Sequence, residues 1–334
     1  MPDALSPSPA PSRPWVRPDV TAFLAYLDTM AGPRIHELDA PAARSMYRAT
    51  RELADMPVGE LAVVRDVVIP AASPAAGAGG IPARLFDARA DRGPGPVVLF
   101  SHGGGFVIGD LDTHAGFCAE AARVLDLPVL AIDYRLAPEH PWPAAPDDCE
   151  AAARWLATGP AMLEREVTGL VLMGDSAGGT LSIVTAMALR DAPAAVPVVM
   201  QATVYPATDW TRPYPSFDIF SKGYLLTEES MAWFADAYRA DPAHPRGSPM
   251  AATVAGLPPA VVMTAGLDPI RDQGRAYAAA LIGAGIAVTY REAAGTIHGF
   301  TTLRRALPSA VGDVAEFLAA VKAGTMAATT RAAA

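Results

Sequence analysis

Charged residues are scarce in this 334-residue sequence, cysteine occurs twice, and long uninterrupted apolar runs are missing. The 26 Lys and Arg residues against 35 Asp and Glu give a net charge of −9, which excludes the concentrated basic face that nucleic acids and anionic membranes require. Cys118 and Cys149 are too few for a disulfide framework and lack the paired spacing of a zinc site, so we expect reduced, buried thiols. Pro258 and Pro259 interrupt the longest apolar stretch, 251–267, so no transmembrane segment is predicted.

Apolar residues make up 51% of the chain, which is enough to bury a large core and excludes disorder away from the ends. At about 150 residues per domain the length predicts two domains, although large α/β folds often reach it as one. Residues 1–14 are rich in Pro, Ser and Ala and lack the basic-then-apolar order of a secretory signal. We therefore expect a cytoplasmic protein with no membrane or nucleic-acid partner.

Eight short β-branched runs alternate with helical stretches from residue 63 onward. Such alternation is typical of a mostly parallel sheet with helices on both faces, so the predicted fold class is α/β. The predicted strands are 63–69, 81–86, 97–101, 129–133, 170–173, 198–205, 260–264 and 288–292. The predicted helices among and after them are 113–125, 147–157, 177–190, 271–283 and 309–323.

Three regions lie outside this alternation. Near the N-terminus, apolar residues at helical spacing predict two helices with Asp19 and Asp39 as N-caps. Residues 209–249 form a Pro- and aromatic-rich insertion with one helical stretch, 228–238. An insertion that leaves a parallel sheet and returns to it often forms a lid over a site at the strand ends. The alternative is that the insertion forms a peripheral helix without substrate contact. Residues 325–334 lack a periodic apolar face, which predicts a frayed tail.

A G-x-S-x-G motif, from Gly174 to Gly178, directly follows the predicted strand 170–173 and opens the predicted helix 177–190. A sharp strand-to-helix turn lifts the serine hydroxyl above the sheet, and small flanking residues are needed because a Cβ there would collide with neighbouring backbone. Ser176 is therefore a candidate nucleophile. The alternative is an ordinary glycine-rich turn with a capping serine.

Three consecutive glycines, Gly103, Gly104 and Gly105, follow the predicted strand 97–101. Such a run costs folding entropy without a packing gain, which suggests that backbone N–H groups must approach a ligand closely. An oxyanion hole is the natural interpretation. A phosphate-binding loop is the competitor, but neither a Walker lysine nor a complete G-x-G-x-x-G fingerprint follows. His102 precedes the run and is expected to be an orienting or core histidine, not a base.

A serine nucleophile needs a histidine base and an acid that fixes the histidine tautomer. Asp268 follows the predicted strand 260–264, and His298 follows the last predicted strand. The order Ser176, Asp268, His298 is the order of an α/β-hydrolase triad. Asp272 is a rival for the acid, but it lies further into the next predicted helix. The remaining histidines are expected to be structural or on the surface, at positions 36, 102, 114, 140 and 244.

Between about residues 97 and 300 the sequence resembles the hormone-sensitive-lipase family of the α/β-hydrolase superfamily, in particular its bacterial H-G-G-G carboxylesterases. Five motifs carry the resemblance in the family's order: His-Gly-Gly-Gly-Phe at 102–106, Asp-Tyr-Arg-Leu-Ala-Pro-Glu at 133–139, Gly-Asp-Ser-Ala-Gly-Gly at 174–179, Asp-Pro-Ile-Arg-Asp at 268–272 and His-Gly-Phe at 298–300. Together they make a chance match negligible.

The resemblance implies a role for each matching residue. Ser176 is the implied nucleophile, His298 the general base and acid, and Asp268 its orienting carboxylate. The N–H groups of Gly104, Gly105 and Ala177 form the implied oxyanion hole, in a loop that Gly103 shapes. The segment Asp133, Tyr134 and Arg135 supports the glycine loop from below in such families, whereas a core polar cluster without catalytic effect is the alternative.

The family also has a helical cap over its acyl and alcohol pockets. The resemblance implies a cap built from 1–56 and 209–249, a catalytic core formed by 57–208 and 250–324, and a flexible tail at 325–334. Candidate pocket walls are Phe106, Trp210, Phe217, Tyr224, Leu225 and Phe300, although aromatic residues more often belong to the core. Thr296 departs from the larger apolar residue that relatives often carry there, which puts the pocket size in doubt.

The sequence therefore predicts a serine carboxylesterase that hydrolyses short- to medium-chain esters through an acyl-enzyme, without metal or cofactor. Its partner is a small-molecule ester, because the pocket of a capped cytoplasmic enzyme is limited. An amidase or a deacetylase of a small metabolite on the same triad is the close alternative. A non-catalytic ligand receptor is the alternative from another class, but a receptor has no need of the triad. A homodimer formed through 288–292 or 309–323 is a further expectation.

Overall fold

The computed structural model describes residues 14–70 and 79–333. Its centre is an eight-stranded sheet with the strand order β1-β2-β4-β3-β5-β6-β7-β8. The strands are β1 Val63–Ile69, β2 Ile81–Asp87, β3 Gly95–Ser101, β4 Val129–Ile132, β5 Val167–Asp175, β6 Val198–Val204, β7 Ala260–Leu267 and β8 Val288–Ile297. β2 is antiparallel to β1 and β4, and every pairing from β4 to β8 is parallel. The mostly parallel eight-stranded sheet is thus confirmed.

Helices cover both faces of this sheet. They are α1 Pro18–Thr29, α2 Ala40–Ala54, α3 Ala115–Leu125, α4 Ala144–Ala157, α5 Ala177–Asp191, α6 Pro215–Phe220, α7 Glu228–Tyr238, α8 Arg271–Gly283 and α9 Ala310–Ala333. Successive strand side chains point to opposite faces. In β3, Val97 and Leu99 pack in the core under α4, α5 and α8, whereas Val98 and Phe100 pack in the core under α3 and α9. Both faces of the central strands are therefore buried, which explains why those strands are apolar, whereas the edge strands β1 and β8 are partly exposed.

The two N-terminal helices form as expected, but only one N-cap is predicted correctly. Asp39 caps α2, since its Oδ1 accepts a hydrogen bond from Ala42 N at 2.8 Å. The assignment of Asp19 as a cap is wrong, because α1 already begins at Pro18, whose missing N–H suits the first helical position. Asp19 instead accepts a hydrogen bond from Ser309 N at 2.8 Å and so joins α1 to the loop before α9.

The C-terminal helix corrects the prediction of a frayed tail over residues 325–333. α9 runs on to Ala333. This segment is built mainly from Ala, Thr and Met, so it shows no apolar stripe, but Ala has the highest helix propensity. Thr325 is buried, and Ala328 packs against the core under α3 and α9.

The predictions for residues 1–13 of the proposed cap and for residue 334 lie outside the described residues. Cys118 and Cys149 are free and buried, as expected. Over 14–70 and 79–333, none of the helices combines the length and apolar character that a bilayer crossing needs.

Candidate active site

The carboxyl ends of β3, β5, β7 and β8 meet at one edge of the sheet, because these strands are parallel. The four segments that carry the predicted site residues follow these strands directly. The glycine loop follows β3, Ser176 follows β5, Asp268 follows β7 and His298 follows β8. The topology therefore brings together residues that lie up to two hundred positions apart in the chain.

Ser176 lies between the last residue of β5 and the first residue of α5, with φ +52° and ψ −121°. A non-glycine residue in this region is strained, and such strain is typical of functional positions. The turn leaves no room for side chains beside it. A Cβ on Gly174 would lie 2.4 Å from Gly178 O, and one on Gly178 would lie 1.9 Å from Ser101 O. The predicted collision with neighbouring backbone is confirmed.

A chain of hydrogen bonds links the serine, the histidine and an acid. His298 Nε2 lies 2.8 Å from Ser176 Oγ, and His298 Nδ1 lies 2.7 Å from Asp268 Oδ2. Asp268 is fully buried, and its Oδ1 accepts a hydrogen bond from Ile270 N at 2.9 Å. Because a carboxylate can only accept, Nδ1 carries the proton, and Nε2 presents its lone pair to the serine hydroxyl.

The rival acid, Asp272, lies elsewhere. Its carboxylate accepts hydrogen bonds from Ser216 N at 3.0 Å and from Arg271 Nε at 2.9 Å, and it also pairs with Arg275. It therefore joins α8 to α6, and the preference for Asp268 agrees with the geometry.

The glycine loop adopts a backbone that side chains would disturb. Gly104 and Gly105 have φ values of +120° and +59°. A Cβ on Gly104 would lie 2.1 Å from Ile108 O, and one on Gly105 would lie 2.3 Å from the Phe234 ring. Gly104, Gly105 and Ala177 line the same cavity as Ser176. Ala177 is the first residue of α5, so its N–H has no partner within that helix.

A buried carboxylate holds this loop against the serine turn. Asp175 Oδ1 accepts a hydrogen bond from Gly103 N at 2.9 Å, and Asp175 Oδ2 accepts one from the Tyr205 hydroxyl at 3.2 Å. His114 Nε2 lies 3.3 Å from Asp175 Oδ1. Burial acts to raise the pKa of Asp175, but His114 and the Gly103 hydrogen bond hold that pKa below its ordinary value. His114 is structural, in agreement with the prediction, whereas Tyr205 was missed because it belongs to no recognisable motif.

His102 supports the loop from below. It is buried, its Nδ1 lies 2.8 Å from Gly103 O, and its ring stacks on Tyr134 with centroids 4.3 Å apart. The Tyr134 hydroxyl in turn donates to His102 O at 2.7 Å. Burial lowers the pKa of His102 to about 4, so the ring is neutral at pH 7. These contacts agree with an orienting or core role.

The other two residues of the Asp-Tyr-Arg segment have different partners. Arg135 forms an ion pair with the buried Asp148 of α4 at 2.7 Å. Asp133 Oδ1 lies 4.0 Å from His102 Nε2. Burial raises the pKa of Asp133 to about 6. Tyr134 is thus the member that contacts the loop support directly.

A cavity of about 910 Å³ opens over Ser176 and His298. Among the predicted walls, Phe106, Trp210 and Leu225 line it. Three predicted walls do not line it: Phe217, Tyr224 and Phe300.

Two of these three aromatic rings have clear packing partners. Phe300 is fully buried against Tyr205, with ring centroids 5.4 Å apart. Tyr224 packs edge-on against Phe220. Thr296 is fully buried and does not line the cavity, so it does not set the cavity size.

Many apolar walls of the cavity come from helices outside the sheet and were not predicted as walls. α1, α2 and α7 contribute Phe23, Leu24, Leu27, Met46, Tyr47, Met231, Phe234 and Tyr238. An amphipathic pattern shows that a helix has a buried face, but it does not show whether that face covers a cavity or a core. In the described ranges, no three His, Cys, Asp or Glu side chains converge in a way that could hold a metal ion.

Comparison with known proteins agrees with this architecture. Residues 98–302 match a family model described as the alpha/beta hydrolase fold. The chain is 40% identical over 295 residues to carboxylic ester hydrolase LipN of Mycobacterium tuberculosis, which covers 85% of this chain and 76% of LipN. The chain belongs to the hormone-sensitive-lipase family of α/β-hydrolases.

Further relatives of this hydrolase are also ester hydrolases by name. The ethyl acetate hydrolase of Pseudomonas putida is 33% identical, over 85% of this chain and 92% of that protein. Among solved structures, an ester hydrolase from the metagenome of Lake Arreo superposes with a TM-score of 0.86 at 37% identity, over 92% of this chain and 98% of that chain. A thermostable esterase from Pseudomonas putida gives a TM-score of 0.87 at 28% identity, over 95% and 99%.

Proposed function

We propose that this hydrolase is a serine carboxylesterase in which Ser176, His298 and Asp268 form the catalytic triad. The observation that carries the proposal is the pair of hydrogen bonds from Ser176 Oγ to His298 Nε2 at 2.8 Å and from His298 Nδ1 to Asp268 Oδ2 at 2.7 Å. The esterase names of relatives at 33–40% identity support the same reaction.

In the first half of the reaction, His298 Nε2 takes the hydroxyl proton while Ser176 Oγ bonds to the ester carbonyl carbon. The carbonyl electrons move onto the oxygen, and Asp268 stabilises the imidazolium that forms. When the oxyanion collapses, the carbon–oxygen bond to the alcohol breaks, and the alcohol leaves with the proton from His298. In the second half, water gives a proton to His298 and attacks the acyl carbon. The bond between that carbon and Ser176 Oγ breaks, His298 returns the proton to Ser176 Oγ, and the acid leaves.

The oxyanion would be bound by the N–H groups of Gly104, Gly105 and Ala177. Support comes from their common position on the cavity wall beside Ser176 and from the free N–H at the start of α5. Donors that are already in place stabilise the developing charge without rearrangement, and each contributes about 3 kcal/mol. Asp175 would act through Gly103, because it holds the loop in this conformation.

We infer a preference for short- to medium-chain esters. The cavity of about 910 Å³ is within the size range of sites for small molecules, and its walls are largely apolar. Because α1, α2 and α7 line the cavity, we also propose that 1–56 and 209–249 form a cap over the core 57–208 and 250–324.

We also propose a cellular location and an oligomeric state for the protein. A cytoplasmic location is supported by the two buried free thiols, which suit a reducing compartment. A homodimer through β8 is supported by the position of this strand at the edge of the sheet, where β7 is its only partner strand among the described residues. Light scattering on the purified protein tests the homodimer, and a monomeric mass would contradict it.

The decisive experiment for the reaction measures hydrolysis of p-nitrophenyl esters from acetate to palmitate by wild type, Ser176→Ala and Ser45→Ala. Ser45 is an exposed serine of α2 and is the matched control. Wild type and Ser45→Ala should prefer the short or middle chains, and Ser176→Ala should lose about 10⁴-fold or more in kcat. A fluorophosphonate probe should label wild type once, at Ser176. Equal activity in all three proteins, or no labelling, would contradict the proposal.

A further inference from the structure

A buried arginine lines the active-site cavity and is not used by the reaction described above. Arg51 lies on α2 and is 9% exposed. Its guanidinium lies over the Tyr47 ring, 4.4 Å from the ring centre, and its Nη1 donates a long hydrogen bond of 3.4 Å to Thr302 O. In the described part of the chain, Arg51 Nε has no hydrogen-bond partner.

Two buried carboxylates, Asp55 and Asp175, have other partners. Asp55, one turn further along α2, accepts hydrogen bonds from Arg304 on both oxygens, at 2.8 and 2.9 Å. Asp175 is held by Gly103 N and the Tyr205 hydroxyl. Within residues 14–70 and 79–333, no carboxylate lies within 4.0 Å of the Arg51 guanidinium.

This arrangement is costly for the protein alone. A guanidinium removed from water loses several kcal/mol of hydration unless an anion replaces the water. The Tyr47 ring and the long hydrogen bond to Thr302 O replace only part of that hydration. The Arg51 guanidinium is therefore well placed to bind an anion in the cavity.

The position of the guanidinium places that partner inside the substrate cavity. A Cβ on Gly299 would lie 3.5 Å from Arg51 Nη2, so the cation lies beside the residue that follows His298. Among the other charged walls, Asp175 is buried and already accepts hydrogen bonds from Gly103 N and the Tyr205 hydroxyl. Asp28, Arg34 and Glu229 are exposed and lie where solvent screens their charge. Arg34 also has a carboxylate partner, Asp28, at 3.8 Å.

We propose that Arg51 binds a free carboxylate on the substrate, so that the preferred substrates are esters that also carry a carboxylate, such as half-esters of dicarboxylic acids. The inference rests on the proposed esterase function. A guanidinium is the side chain that best matches a carboxylate, because its planar fork can donate two parallel hydrogen bonds. The charge would fix one end of the substrate while Ser176 attacks the ester at the other.

The test compares esters of equal length with and without the charge. Monoethyl succinate, glutarate and adipate are matched with ethyl butanoate, pentanoate and hexanoate, and ethanol release is measured. For a carboxylate on the alcohol side, the acetate ester of 6-hydroxyhexanoate is matched with hexyl acetate. In at least one pair, wild type should show a kcat/KM about 10-fold or more higher for the charged ester.

Three variants separate the charge from the packing. Arg51→Met keeps the length of the side chain and should lower kcat/KM for the best charged ester by about 10- to 100-fold, mainly through KM. It should leave the neutral partner within about threefold. Arg51→Lys should recover part of the loss. Arg48→Met removes an exposed arginine of the same helix, which pairs with Asp110, and should change neither substrate.

The wild-type protein provides a second measurement that needs no variant. Adipate should inhibit hydrolysis of p-nitrophenyl acetate at a concentration about 10-fold lower than hexanoate does. Equal inhibition, together with equal kcat/KM in every ester pair, would overturn the role of Arg51. Equal losses on charged and neutral esters in Arg51→Met would show that the arginine only supports the fold. A wild type that hydrolyses no ester at all would instead refute the proposed function.

Discussion

Lowering the pH from 7 to 4 should destabilise the protein through His102. Its ring is 2% exposed, and burial lowers its pKa to about 4 from an ordinary value of 6.5. In the unfolded chain the imidazole is in water and takes up a proton near its ordinary pKa. Between these two pKa values the unfolded state binds more protons than the folded state, so the free energy of unfolding falls as the pH decreases.

The magnitude follows from the separation of the two pKa values. A gap of about 2.5 pH units corresponds to about 3 kcal/mol in the free energy of unfolding. This stability is fully present above pH 6.5 and is lost as the pH falls to about 4. Asp133 acts in the opposite direction, because burial raises its pKa to about 6. The contribution of Asp133 to the free energy of unfolding is present below pH 3.8 and is lost as the pH rises through about 6. With its side chain 37% exposed, solvent screening makes the effect of Asp133 the smaller one.

The assay is urea unfolding followed by circular dichroism at pH 7, 6, 5 and 4 and constant ionic strength. Between pH 7 and pH 4, wild type should lose about 3 kcal/mol more than His102→Gln, which cannot titrate. Asp133→Asn should lose more than wild type, because the opposing contribution is gone. If wild type and His102→Gln lose the same amount, His102 takes up a proton in the folded state, and the argument from burial is wrong.

Three further changes test the site and its support. Asp268→Asn should lower kcat on p-nitrophenyl butyrate by about 10⁴-fold, since the His298 tautomer is no longer fixed, and Asp272→Asn by less than about tenfold. Phe234→Ala removes a cavity wall beside the glycine loop and should move the preferred p-nitrophenyl ester towards longer acyl chains. Arg304→Met leaves the Asp55 carboxylate buried without its partner and should lower the free energy of unfolding by about 3–5 kcal/mol, measured with urea.

For each of these substitutions, a different result would contradict the prediction. Similar losses in Asp268→Asn and Asp272→Asn would remove the distinction between the two acids. An unchanged chain-length optimum in Phe234→Ala would show that this ring does not limit the acyl pocket. The control for Arg304 is Arg291→Met, since Arg291 pairs with Glu316 on the surface and should cost less than about 1 kcal/mol. A similar cost for both arginines would contradict the importance of burial.

The eight strands and the order of the triad could be read from the sequence, because both depend on local patterns. β-branched runs mark strands, and all eight predicted strands form, although β5, β7 and β8 extend three to five residues beyond a predicted end. Gly174 and Gly178 were informative because a tight turn excludes a Cβ regardless of the rest of the fold. The errors arose where local patterns are weak, as in the Ala- and Thr-rich end of α9, which forms a helix without an apolar stripe.

The cavity walls were decided only by the tertiary structure. An aromatic side chain fills a core as readily as it lines a pocket. The sequence therefore could not separate Phe106 and Trp210, which line the cavity, from Phe217, Tyr224 and Phe300, which do not. Which of the two occurs depends on how the cap helices lie over the strand ends, and no local pattern encodes that packing.

The charged residues also show what the sequence determines and what only the fold determines. The sequence by itself determined that the chain carries few charges and a net charge of −9, and that Ser176, Asp268 and His298 occur in the order of a hydrolase triad. Only the tertiary structure decided that Asp268 is hydrogen-bonded to His298. It also decided that Asp55 pairs with Arg304, and that Arg51 is buried without a carboxylate partner among the described residues. The physical reason is that hydrogen bonds and ion pairs depend on distances of a few ångströms between segments far apart in the chain, which only the packing of the whole fold sets.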